Sequence, residues 1–350
     1  MNTLDLLKRN MQEIVTEEEI LSLNLSKSKG YIGFEPSGIP HLGTGVLWPK
    51  KINDLVSAGV NFTILLADWH AFVNNKLSGD IEKIRLSGKV FQEGMKAMGL
   101  SDRVRFIWAS DLVDSGEYFT TLIQLSKHTS LSRLKRALPI MGRVEGEAEK
   151  DFSMFIYPIM QVTDIAVMDV DIALGGMDQR HAHMLQRDIA EKSGGKKVTA
   201  IHGPLLGSLK GPGRMDSQND SDIVKMSKSD PDSAIFIFDS EDTIRKKISR
   251  AYCPVAEIKG NPVLDIIKHI IFPYYGKDFV IDRPREKGGE IIPHDYDELE
   301  IEFMQRRIHP ADLKAATGEA LIGLLLPARK LYEKLEGDLA ELGYASSKDS

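Results

Sequence analysis

Short apolar stretches of strand character recur through the first two hundred residues, each separated from the next by a helix-length segment. They fall at residues 30–35, 61–67, 103–108, Asp171–Leu174 and Val198–Ile201. A helical pattern starts near Leu42, another runs from Gly79 to Met98, and a third lies between the last two strands. Strands spaced by helices can pair only through long crossovers, so the chain is predicted to form a parallel α/β sheet. Ligands of such sheets sit beyond the carboxyl ends of the strands, at the switch point. After Ser240 the pattern turns helical, with segments near 240–251, 263–272, 308–318 and 319–338, the first capped by Asp239 or Ser240. This divides the chain into a nucleotide-binding α/β domain, 1–235, and a small helical domain, 236–350.

Composition narrows the function classes. The chain has 350 residues, enough for two domains, and 42% hydrophobic with 27% charged residues marks a globular protein. No apolar run reaches the roughly 18 residues of a membrane span, and the charged N-terminus lacks a signal core. Cys253 is the single cysteine, which excludes an internal disulfide, a cysteine zinc cluster and an iron–sulfur site. Nothing beside that thiol suggests activation, and a cytoplasmic location is expected. A net charge of −6 excludes a surface that is basic throughout, but leaves room for a local basic patch.

Two segments carry the chemistry. Gly33-Phe34-Glu35-Pro36-Ser37-Gly38-Ile39-Pro40-His41-Leu42-Gly43-Thr44-Gly45 leads from a strand into a helix whose unpaired N–H groups favour phosphate oxygens. Gly43 leaves space for a nucleotide against the backbone. Taken alone, this is also how an ordinary strand-to-helix turn reads. Lys225-Met226-Ser227-Lys228-Ser229 lies in a polar stretch rich in Asp, Ser and Gly. A solvated loop explains most Lys-x-x-Lys sequences, but two lysines on a mobile loop can also close over a polyphosphate and neutralise developing charge.

The two segments together resemble the HIGH and KMSKS signatures of class I aminoacyl-tRNA synthetases. From Tyr31 onward, essentially the whole chain is similar to the tyrosyl-tRNA synthetases of archaeal and eukaryotic type. The resemblance implies a Rossmann-like catalytic domain with a helical anticodon-binding domain. It also implies ATP with Mg²⁺ as a substrate, with no metal held by the protein. His41, Thr44, Lys225 and Lys228 are the implied catalytic residues, and Gly33, His41, Gly43, Thr44, Gly176, Asp178, Lys225, Ser227 and Lys228 the implied ATP contacts. Thr44 stands where the signature has its second histidine; its hydroxyl can still donate to phosphate. Pro49, about two turns into the helix, is expected to kink or shorten it.

Tyr157, Gln161 and Asp164 lie at i, i+4 and i+7, on one helix face. Tyr157 can be read as a core aromatic and Asp164 as a cap or solvated acid. Yet the surroundings are apolar, and a buried carboxylate needs a partner that a ligand hydroxyl can supply. The resemblance implies that Tyr31 and Asp164 bind a phenolic hydroxyl, and that Tyr157, Gln161 and Gln179 hold the α-amino group. Gly175-Gly176-Met177-Asp178-Gln179-Arg180 opens a helix after a strand, with Gly176 and Asp178 implied at the ribose. Such a pocket rejects phenylalanine because its polar groups would be left unpaired, an asymmetry for which tyrosyl enzymes are the standard example. Asp68-Trp69-His70 also follows a strand; a structural histidine explains it as well as a pocket residue does.

From Tyr118 to Val144 no acid occurs, while Lys127, Arg133, Lys135, Arg136 and Arg143 are basic. A solvated helix face would look the same, as would a phosphate footprint. The family carries its acceptor-stem and dimer segment here, about 115–150, with Arg136 at the acceptor-stem position. His309 and Asp312 match its anticodon-reading segment, and Lys287 stands where related enzymes place an aromatic. The expected activity is therefore tyrosine–tRNA ligation by a cytoplasmic homodimer that binds tRNA(Tyr), L-tyrosine and ATP and no membrane. The alternatives are a tryptophanyl enzyme, a nucleotidyltransferase acting on a small acid, and a non-catalytic tRNA-binding paralogue.

Overall fold

The computed structural model describes residues 3–141, 151–212, 226 and 230–344. Its sheet has six strands: β1 (Glu13–Val15), β2 (Lys29–Phe34), β3 (Asn61–Leu66), β4 (Arg105–Trp108), β5 (Ile172–Gly176) and β6 (Thr199–Gly203). They are ordered β1-β6-β5-β2-β3-β4. Strands β2 to β6 are parallel, with Tyr31 opposite Thr63 on one side and Ala173 on the other. The five expected strands are all present. In β5 and β6 every residue is buried, as in a sheet covered on both faces. The strand order reverses between β5 and β2, so their carboxyl ends, at Gly176 and Phe34, frame a switch point.

Strand β1 was not expected. It is three residues long and pairs antiparallel with β6, Ile14 opposite Ile201. So short a segment has too few residues to show a period-two pattern.

By its contacts the chain forms two compact units. One comprises Met1–Gly38, Lys51–Gln92 and Leu100–Pro204; the other comprises Ile39–Lys50, Glu93–Gly99 and Leu205–Ser350. The first contains the sheet. Its core joins Tyr31, Leu65 and Ala173 from the strands, and Val198 just before β6, to Ala109 and Ile165 from helices. In the second, the Glu241–Arg250 helix is capped by Ser240, whose Oγ accepts from Thr243 N at 3.2 Å. The two helical segments expected at 308–318 and 319–338 are one helix, Pro310–Glu341, which runs through Pro327. Arg329 Nη1 donates to the Ile322 carbonyl at 2.8 Å, serving a backbone acceptor close to where proline interrupts the ladder.

Pro49 does not end its helix. It is the second residue of Trp48–Ser57, directly after a π-turn, Gly43–Leu47, in which Trp48 N–H reaches Gly43 O. The wider turn shifts the hydrogen-bond register ahead of the residue that has no N–H to give.

Candidate active site

In the first unit, Tyr31 on β2 and Asp164 on the Ser153–Val167 helix are 2% and 1% exposed. Asp164 accepts through Oδ1 from the Tyr118 hydroxyl at 2.8 Å, and that hydroxyl also lies 3.2 Å from Met160 O. His70 Nε2 stands 3.1 Å from Asp164 Oδ2, in line for charge attraction but not aligned for a hydrogen bond. Asp164 Oδ2, both His70 ring nitrogens and Gln161 Oε1 are therefore buried polar atoms without a hydrogen-bond partner. Such atoms are costly unless a ligand completes them.

The charge of Asp164 sets the electrostatics of this cluster. Burial, then the Asp164 charge, raises the Tyr31 and Tyr118 phenols well above their ordinary values, so both stay protonated. Burial alone would depress His70, yet Asp164 with help from Glu35 and Asp68 outweighs it and raises the imidazole.

A second cluster adjoins it. Tyr157 donates to Glu35 Oε1 at 2.7 Å, and its ring meets the His70 ring edge-on at 5.1 Å. Asn74 Nδ2 donates to both Glu35 oxygens and to Met141 O at 3.0–3.1 Å, and Lys76 Nζ is 3.5 Å from Glu35. Gln161 Nε2 donates to Gln179 Oε1 at 3.3 Å, while Gln179 Nε2 donates to Ile140 O at 3.2 Å. A carboxylate and two amide side chains can together hold an ammonium group.

The structure thus joins Gln161 to Gln179 and Tyr157 to Glu35, and groups Asp164 with Tyr118 and His70. Gly33 is exposed, and a Cβ there would fall 2.8 Å from the Tyr31 hydroxyl, so glycine keeps that phenol's place open. Gly176 ends β5, and Asp178 and Gln179 form the Met177–Gln179 turn that opens the Arg180–Ser193 helix. Sequence reasoning missed Glu35, Asn74 and Tyr118, and left His70 undecided. Glu35 sits in the quoted strand-to-helix loop and could have been singled out there. Tyr118 gives no such signal.

In the second unit, His41 Nδ1 accepts from Gly43 N at 3.1 Å, which puts the neutral ring's proton on Nε2. The Thr44 hydroxyl accepts from His41 N and donates to His41 O, so here it closes its own loop. The loop is strapped to the segment following the lysine pentapeptide: Leu42 N donates to Ile235 O and Ile237 N to Pro40 O, each at 3.0 Å. A Cβ on Gly45 would collide with Ile237, so this close approach requires glycine. Met226 is buried and its N–H donates to Leu206 O at 3.1 Å. Lys225, Ser227, Lys228, Ser229 and Arg143 lie outside the described residues.

Of the expected RNA contacts, Arg136 is exposed at the end of the Leu131–Lys135 helix, whereas Arg133 is engaged with Asp188 at 2.8 Å. His309 caps the Pro310–Glu341 helix, its Nδ1 accepting from Ala311 N at 3.2 Å. Asp312 Oδ2 in the next turn is buried without a hydrogen-bond partner. Lys287 ends the Arg285–Lys287 turn. Cys253 is half-buried, and burial raises its thiol, which keeps it unreactive.

The first unit gathers buried polar side chains at the switch point of a parallel sheet, and the second carries a histidine loop leading into a helix; each feature suits the activation of a small acid on a nucleotide. The chain belongs to the family described as "tRNA synthetases class I (W and Y)", whose model matches residues 24–325. It is an aminoacyl-tRNA ligase. It is 55% identical over 338 residues to a tyrosine–tRNA ligase of Picrophilus torridus, covering 97% of this chain and all of the relative. A crystal structure of tyrosyl-tRNA synthetase complexed with L-tyrosine from Pyrococcus horikoshii superposes with a TM-score of 0.90 at 38% identity, covering 98% of this chain and 100% of the other. A tryptophanyl-tRNA synthetase of Aeropyrum pernix reaches only 0.64 at 19% identity, with 90% and 81% covered, and shares the fold.

Proposed function

We propose that the chain ligates L-tyrosine to tRNA(Tyr). The tyrosine carboxylate attacks the α-phosphorus of ATP·Mg²⁺, the α–β phosphoanhydride bond breaks, and pyrophosphate leaves. A hydroxyl of the terminal adenosine then attacks the carbonyl carbon of tyrosyl-adenylate, and AMP leaves. Neither step needs a protein nucleophile; positioning and charge stabilisation supply the acceleration.

One observation carries the choice of amino acid. Asp164 Oδ2 is buried in a cluster with Tyr31, Tyr118 and His70; it faces the His70 imidazole at 3.1 Å but accepts no aligned hydrogen bond, so it can take one from a ligand. A phenolic O–H fills that position. In this reading Tyr31 shares the hydroxyl, and Tyr157, Gln161 and Gln179, joined by Glu35, hold the ammonium. Gly176 and Asp178 meet the ribose, and Gly33 and Gly43 are further ATP contacts. His41 and Thr44, with Lys225, Ser227 and Lys228, meet the phosphates. Arg136 meets the acceptor stem, and His309 with Asp312 the anticodon. The orphaned Asp312 Oδ2 supports a hydrogen-bonded base at that position.

Residues 1–235 serve catalysis in this reading and 236–350 anticodon binding. A homodimer is supported by Phe119 and Ile123, exposed one turn apart on the Gly116–Ser126 helix, and by Leu131 nearby. No helix among the described residues is long and apolar enough to cross a membrane, and we place the enzyme in the cytoplasm. Pyrophosphate exchange with each of the twenty amino acids, followed by tRNA charging, tests the assignment. Tyrosine alone should support exchange. Exchange with tryptophan would shift the reading to the tryptophanyl enzyme, and tRNA binding without any exchange would make the chain a binding paralogue.

A further inference from the structure

The first unit contains a buried polar chain that the reaction does not use. Glu13, on the edge strand β1, accepts from Arg180 Nε through both oxygens, at 2.9 and 3.1 Å. Its Oε2 also lies 2.8 Å from Nδ1 of His202 on β6. His202 Nε2 in turn lies 3.0 Å from Nδ1 of His183 on the Arg180–Ser193 helix. Both imidazoles are almost wholly buried.

The order of the protons follows from the ends. Burial would raise the Glu13 carboxyl, but Arg180 and His202 outweigh it and keep it ionised. An ionised Glu13 accepts from His202 Nδ1, which leaves His202 Nε2 as an acceptor and makes His183 Nδ1 the donor. Burial depresses both histidines, His183 to about 3 with help from His202, so the pair is neutral. The chain therefore has one consistent direction, from helix to strand to edge strand.

It ends beneath a functional turn. A Cβ on Gly175 would meet His183 Cε1 at 3.2 Å and Gln179 Cβ at 3.0 Å, so the His183 ring supports the corner where β5 turns into Met177–Gln179. Arg180 follows Gln179 directly. Held from below by His183 and from its end by Arg180, this turn has little freedom to rotate.

We infer that Glu13, His202, His183 and Arg180 are positioning residues that fix the Gly176–Arg180 turn in register for the ribose and the α-amino group. This rests on the roles proposed above for Asp178 and Gln179. None of the four need touch substrate. Contacts to ribose and ammonium are present in both ground and transition states, so loosening them changes KM more than kcat.

The test is Glu13→Gln in the full chain, with Arg180→Ala, whose side chain is 40% exposed, as a second variant. KM for tyrosine and for ATP should each rise about fivefold, with kcat within about twofold, the scale of one weakened hydrogen bond. Amide hydrogen exchange at 176–180 should quicken, and Arg180→Lys should recover part of both effects. A lowered melting temperature with unchanged KM values and unchanged exchange at the turn would overturn the inference, reducing the chain to fold support. If the unaltered protein fails to activate tyrosine, the functional reading falls, while hydrogen exchange at the turn still decides whether the network positions it.

Discussion

Replacing Asp164 by alanine separates recognition of the phenol from everything else in the pocket. The carboxylate is 1% exposed and spends one oxygen on Tyr118; the other, Oδ2, lies 3.1 Å from His70 Nε2 without an aligned hydrogen bond and can accept one from the substrate hydroxyl. A hydrogen bond to a charged group contributes about 1.5–3 kcal/mol, and about 1.4 kcal/mol is a factor of ten. Tyrosine activation should therefore fall roughly 10- to 150-fold in kcat/KM. The variant should fold with reduced stability: the Tyr118 hydroxyl keeps Met160 O as an acceptor at 3.2 Å, while His70 loses its charged partner. Phenylalanine makes no bond to Asp164, so its activation should change little or rise. The assay is pyrophosphate exchange with both amino acids, backed by a circular-dichroism melt. An unchanged tyrosine-to-phenylalanine ratio in a folded variant would refute the assignment.

Three further outcomes are expected. His70 is raised above its ordinary value, so its contribution to stability is fully present below about pH 6.5 and is lost as pH rises through the folded-state value. His70→Gln should accordingly cost most stability at pH 5.5 and least at pH 9, as read by denaturant titration; a pH-independent cost would deny the pairing with Asp164. Lys51 is wholly buried and donates to the carbonyls of Leu6, Leu7 and Arg9 at 2.7–3.1 Å. Lys51→Met should lower stability by about 2–4 kcal/mol, about one per orphaned carbonyl, and a loss below about 1 would show that those groups find other partners. Arg136→Ala should reduce tRNA charging and flatten its salt dependence while sparing pyrophosphate exchange; equal losses in both assays would make it a fold residue.

The sheet was readable because its strands are short, mainly apolar runs separated by helix-length segments. In β3, β5 and β6 that pattern arises from burial on both faces, and it survives in one dimension. The face bearing Tyr157, Gln161 and Asp164 was readable for a similar reason: a helix fixes the angular spacing of its own side chains. Strand β1 was not, since its three residues are held by pairing with β6, which lies far along the chain. The single helix Pro310–Glu341 was misdivided at Gly318, where local punctuation is overridden by packing.

By itself, then, the sequence determined where the parallel strands lie along the chain, the loop that presents His41, and the helix face that presents Asp164, because each is set by local pattern. Tertiary structure alone decided which groups complete those residues. Tyr118 reaches Asp164 across 46 residues, and Tyr157 reaches Glu35 across 122. Pro40 and Leu42 exchange backbone hydrogen bonds with Ile237 and Ile235, nearly two hundred residues further along the chain. Such pairings are settled when apolar surfaces pack and buried polar atoms must find partners, a condition that acts through space and leaves no period in the chain.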